Sequence, residues 1–159
     1  MNLLISIPNE ASMERLGQVL AQSLPGSCIV LLEGTLGAGK TRLVRAFAMA
    51  CGVASTDVTS PTFTLWQTYG GNRTIHHLDA YRIQDEDEFE ALGVAEAFDE
   101  DDAVVFVEWA SRVENCLPGD RTLSIRIEIE GETKRTVQLS TEDPEIAAAI
   151  KAIDQNAFR

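Results

Sequence analysis

The sequence predicts an α/β domain with a mixed, mostly parallel sheet flanked by helices and carrying antiparallel hairpins, and three observations predict it. Residues 28–33, Cys-Ile-Val-Leu-Leu-Glu, read as a short buried strand that leads through a glycine-rich run into a helical pattern over residues 42–51. Residues 103–108, Ala-Val-Val-Phe-Val-Glu, repeat the buried-strand pattern and again end on an acid. Residues 122–130 and 133–140 alternate apolar and polar around Gly131-Glu132, as the arms of a hairpin do. The 159 residues, 45% of them hydrophobic, suit one domain with its own core, so residues 1–159 are expected to form a single unit. No repeat, low-complexity segment or linker divides them.

Taken in order, residues 3–7 form a short strand. Pro8-Asn9 caps an amphipathic helix whose apolar stripe is Met13, Leu16, Val19, Leu20 and Leu24, ended by Pro25-Gly26. After the strand at 28–33, the helix over 42–51 buries Leu43, Val44, Phe47 and Ala48 and is closed by Gly52. Ser60-Pro61-Thr62-Phe63 leads into a β-rich run to Tyr69, and Gly70-Gly71-Asn72 turns it into a second arm over 73–79. Residues 85–92 read as a short acidic helix with Phe89 and Leu92 inward, closed by Gly93, with a further turn over 94–98. The strand at 103–108 is followed by a helix start at 109–113, the turn at 117–120, the hairpin at 122–140, and a last helix opened by Asp143-Pro144 and lined by Ile146, Ile150 and Ile153.

Between the first buried strand and its helix lies Gly34-Thr35-Leu36-Gly37-Ala38-Gly39-Lys40-Thr41, which matches G-x-x-x-x-G-K-[ST] at every fixed position and makes the domain P-loop NTPase-like. The order strand, loop, helix is what the chemistry needs. Backbone N–H groups of the turn and the positive end of the helix dipole converge on one spot suited to phosphate. The expected contacts of ATP are Gly34, Leu36, Gly37, Ala38, Gly39, Lys40, Thr41 and Arg42, with Lys40 on the β- and γ-phosphates and Thr41 on a Mg²⁺ bridging them.

Two carboxylates complete this set: Asp79 at the end of an alternating strand and Glu108 at the end of a Walker B-like one. Lys40, Asp79 and Glu108 are the candidate catalytic residues. Glu108, with Thr41, is expected to serve the metal and Asp79 to orient water or metal, though the two acids' roles are open to exchange. The plainer alternatives are a turn cap for Asp79 and an ordinary strand-end acid for Glu108. Thr62 would contact the γ-phosphate or its metal, or else merely start a strand after proline. His76 and His77 point to opposite sides of a strand and have no Cys or His partner at zinc spacing, so a hydrogen-bonding role is expected for His77. Without an N-K-x-D or D-x-x-G segment, ATP is favoured over GTP.

The charge count, 13 Lys+Arg against 25 Asp+Glu, leaves −12 and disfavours a free-standing nucleic-acid binder. The acidic runs at 85–90 and 99–102 read as solvated helix ends and loops, with docking of a basic partner as the alternative. Cys28, Cys51 and Cys116 form no metal or redox spacing, which fits a reducing cytoplasm, and Cys28 and Cys51 read as small buried hydrophobes. Neither a secretory signal nor an apolar run of membrane-spanning length is visible, so no membrane role is expected.

The four stretches at residues 34–41, 60–65 (Ser-Pro-Thr-Phe-Thr-Leu), 77–82 (His-Leu-Asp-Ala-Tyr-Arg) and 108–109 (Glu-Trp), in this order, resemble the bacterial TsaE (YjeE) family of P-loop ATPases over about residues 7–135. Thr35 stands where that family often has Asp, and Leu78 and Ala80 replace bulkier residues around Asp79. The resemblance implies a weak ATPase needed for threonylcarbamoyladenosine in tRNA. Such an ATPase acts with TsaB and TsaD, resets that complex between rounds, and meets tRNA only through it. The resemblance also implies that Glu10 and Arg135 lie near the nucleotide. The alternatives are an ATP-dependent assembly switch that needs no hydrolysis and a small-molecule phosphotransferase.

Overall fold

The protein is described by a computed structural model covering residues 1–59 and 65–159. Its strands are β1 (Asn2–Ile7), β2 (Cys28–Glu33), β3 (Trp66–Gly70), β4 (Thr74–Asp79), β5 (Ala103–Glu108), β6 (Thr122–Ile129) and β7 (Arg135–Ser140). Its α-helices are α1 (Glu10–Ser23), α2 (Lys40–Ala50), α3 (Glu86–Glu90), α4 (Ala95–Phe98) and α5 (Pro144–Lys151). The strands form one sheet in the order β1-β7-β6-β2-β5-β4-β3. The central neighbours β6, β2, β5 and β4 run parallel, while β7 and β1 on one side and β3 on the other add antiparallel pairs. The expected mixed α/β sheet is therefore present, with its antiparallel character at the two edges.

Side-chain alternation divides the core into two layers. Val30, Leu32, Ile75, Phe106, Leu123 and Val137 pack with α1, α2 and α5, while Ile29, Leu78, Val105 and Val107 pack with α3 and α4. The central β2 and β5 are apolar toward both layers and so lack alternation, as strands covered on both faces do. In β6 the alternation is clean: Leu123, Ile125 and Ile127 are buried, whereas Ser124, Arg126 and Glu128 are exposed.

Local signals set most boundaries. The Asn9 side chain accepts from Ser12 N–H at 2.9 Å and starts α1, and Asp143 caps α5 with Pro144 in its first turn. Several expectations shift. Helix α2 starts at Lys40, two residues before the apolar pattern suggests, because the first turn belongs to the loop motif. The helix expected from Trp109 is a 3-10 segment, Ala110–Cys116, with Val113 outside helical geometry. Leu92 is only partly buried. A C-terminal 3-10 turn, Gln155–Phe158, is capped by Asp154, whose Oδ1 accepts from Asn156 N–H at 2.9 Å; Phe158 is fully buried and its carbonyl accepts from Ser12 Oγ at 2.8 Å.

Candidate functional site

Where β2 ends, the chain turns through the glycine-rich loop directly into α2. Gly37 and Gly39 have φ of 82° and 117°, the left-handed region that a side chain disfavours, and Gly39 is the N-cap of α2. No side chain caps α2, so its leading N–H groups are left for an external acceptor. Gly34 is required for a different reason: a Cβ there would stand 2.9 Å from the Ile127 carbonyl. Lys40 is only 7% exposed. Its Nζ donates to the Gly34 carbonyl at 2.5 Å and sits 4.4 Å from the centroid of the Trp109 ring.

The loop forms one wall of a cleft of about 630 Å³ that also takes in Thr41, Asp79, Glu108 and Trp109. Asp79 and Glu108 are register partners at the C-terminal ends of the parallel pair β4 and β5, so these adjoining strand ends bring both carboxylates to the cleft. They are 5% and 3% exposed. Asp79 Oδ1 accepts from Tyr81 N–H at 2.8 Å, so the turn-cap role is real, and it fixes the side chain at the cleft wall. Glu108 Oε2 meets His77 Nε2 at 2.8 Å. His76 faces the other layer, where Glu100, Trp66 and Thr68 surround it.

Further contacts brace the rim. Arg42 is held by Glu10 at 3.3 Å and Glu14 at 2.8 Å, tying the start of α2 to α1. Arg135 spends its guanidinium on backbone carbonyls: Nε on Ala38 at 3.1 Å, one terminal nitrogen on Gly37 at 3.3 Å, and the other on Gly131 at 2.9 Å among the turn carbonyls. Glu10 and Arg135 both line the cleft, and their charged groups are engaged by the protein frame. Leu36 stands at the loop tip, 94% exposed. Trp109 has a left-handed backbone and packs its ring 5.0 Å from Tyr81. Asn9, Met13 and Thr133, which no motif marks as site residues, also line the cleft from the start of α1 and the β6–β7 turn. Thr62 lies outside the described residues.

The cation requirement is testable on the donor set. Two buried carboxylates and the Thr41 hydroxyl are oxygen donors suited to a hard cation. Among the described residues no group of three or more His, Cys, Asp or Glu gathers closely enough to hold a metal ion unaided. Such a set fits Mg²⁺ that shares its coordination with phosphate oxygens and water.

A parallel-centred α/β sheet with a glycine-rich loop feeding a helix at the end of a central strand defines a P-loop-type architecture. The family model described as "Threonylcarbamoyl adenosine biosynthesis protein TsaE" matches residues 7–137, and the chain belongs to this family. Relatives named tRNA threonylcarbamoyladenosine biosynthesis protein TsaE include one from Rickettsia felis, 35% identical over 89% of this chain and 82% of that protein. Another, from Aquifex aeolicus, is 36% identical over 85% of this chain and 93% of its own. The crystal structure of YdiB from Bacillus subtilis is similar at 28% identity with a TM-score of 0.78, covering 95% of this chain and 93% of YdiB. Family members carry a name that assigns them to threonylcarbamoyladenosine formation in tRNA. No helix among the described residues is long and apolar enough to cross a membrane.

Proposed function

We propose that this protein binds ATP with Mg²⁺ in the loop-lined cleft and hydrolyses it as a partner-stimulated ATPase of the cytoplasm. It would work with TsaB and TsaD to let threonylcarbamoyladenosine modification of tRNA proceed over repeated turnovers. The observation that carries this reading is the convergence of Lys40, Thr41, Asp79 and Glu108 on one cleft beneath the uncapped start of α2. The loop amides and Lys40 bind and orient the phosphates, and Lys40 would exchange its Gly34 carbonyl and the Trp109 face for phosphate oxygens. Mg²⁺, when bound, supplies charge neutralisation at those oxygens, with Thr41 and Glu108 as its protein-side donors. Asp79, held in place by its own turn, is the group to orient water. The buried walls exclude bulk solvent from both carboxylates. A net charge of −12 suits a chain that leaves tRNA to its partners.

The test is tRNA modification by TsaB and TsaD with wild-type protein or Lys40→Ala, scored over many turnovers. Wild type is expected to sustain product formation and Lys40→Ala to stop near one round. Equal output would contradict the proposal.

A further inference from the structure

His77 is the buried polar group next to the cleft for which the proposed chemistry has no task. It is wholly buried on β4, two residues before Asp79, and therefore on the loop side of the sheet. Its Nε2 lies 2.8 Å from Glu108 Oε2 on the neighbouring strand, while its Nδ1 is buried without a hydrogen-bond partner among the described residues. An ionised carboxylate only accepts, so the contact requires the ring proton on Nε2. The ring is thus set up to donate from Nε2 to Glu108.

We infer that His77 is a positioning residue for Glu108: it holds one carboxylate oxygen against the sheet so that the group keeps one orientation and presents its charge to the cleft. The inference rests on the proposal that Glu108 serves a cation. Groups that orient a metal-binding side chain from behind are worth on the order of 10–100-fold in metal affinity. His76, one residue earlier, is engaged on the opposite face by Glu100 at 2.8 Å and provides an internal control.

The experiment measures ADP affinity by calorimetry in excess Mg²⁺ and in EDTA, and compares the ratio of the two across variants. His77→Leu is expected to lose about tenfold of the Mg²⁺-dependent gain with its EDTA affinity unchanged. His77→Gln, whose amide N–H can reach the same oxygen, is expected to restore most of the gain, and His76→Gln to leave the ratio alone. A folded His77→Leu with the wild-type ratio would overturn the inference, and so would equal losses with and without Mg²⁺. Should His77→Leu not fold, long-range ¹H–¹⁵N spectra of the wild-type imidazole decide: a proton on Nε2 is expected, and one on Nδ1 overturns it. A wild type indifferent to Mg²⁺ would defeat the functional proposal and the inference together. A Mg²⁺-dependent wild type beside a folded His77→Leu with the same Mg²⁺ dependence defeats the inference alone.

Discussion

Lys40 has its ammonium lodged between a backbone carbonyl and an indole face, nearly out of reach of water. Its charge is thus stored where only an anion entering the cleft can offer a better partner. Lys40→Ala should weaken ADP binding at least tenfold while leaving thermal stability close to wild type, measured by calorimetry and by melting. Cys28 illustrates the opposite case, a group kept uncharged. Burial pushes its thiol from 9.0 up to about 11, against a smaller opposing pull from Arg73. An acid whose pKa is raised by folding contributes stability that is whole below the unfolded value and fades as pH climbs through the folded one. The unfolding free energy from urea melts should therefore fall between pH 9 and 11, by up to about 3 kcal/mol, and Cys28→Ser should flatten that slope. Cys116 is the partly exposed thiol, so it should be the first of the three to be alkylated in the native protein.

The packing of α1 on α2 depends on Gly17, where a Cβ would come within 2.7 Å of Ala46 Cβ and 2.8 Å of the Leu43 carbonyl. Gly17→Val should cost about 1–3 kcal/mol in denaturant melts and loosen the Glu10–Arg42 tie at the cleft. Asn9→Ala should cost about 1 kcal/mol by removing the cap of α1. The elements that were legible in the sequence are those whose cause is local. The loop, its two flanking elements, the β6–β7 hairpin and the Asn9 and Asp143 caps all declare themselves within a few residues. What was not legible depends on contacts across the chain. Nothing local in the sequence marks Gly17 or Phe158, and Arg135 stands near the nucleotide only by resemblance. Its bonds to Gly37 and Ala38, 98 and 97 residues away, make it a brace of the loop. Asp79 and Glu108 could each be named from a strand end, but only the parallel register of β4 on β5 makes them neighbours.

Across the whole molecule, the sheet gathers the loop, both acids and the braced rim at one end, and family membership ties the chain to tRNA threonylcarbamoyladenosine formation. The acidic excess disfavours holding tRNA by charge alone, in keeping with the proposal that partners contact tRNA while this protein runs the nucleotide cycle. Added salt should therefore change its nucleotide affinity far less than it changes tRNA binding by the assembled complex, a contrast that titrations at two ionic strengths would measure. Whether the cleft hydrolyses ATP under partner control is decided by ATP turnover of the purified protein alone, with TsaB and TsaD, and with Lys40→Ala in place of wild type. Slow turnover alone, large stimulation by the partners, and loss of both with Lys40→Ala are expected; turnover indifferent to the partners, or surviving the loss of Lys40, would refute partner-controlled hydrolysis in this cleft.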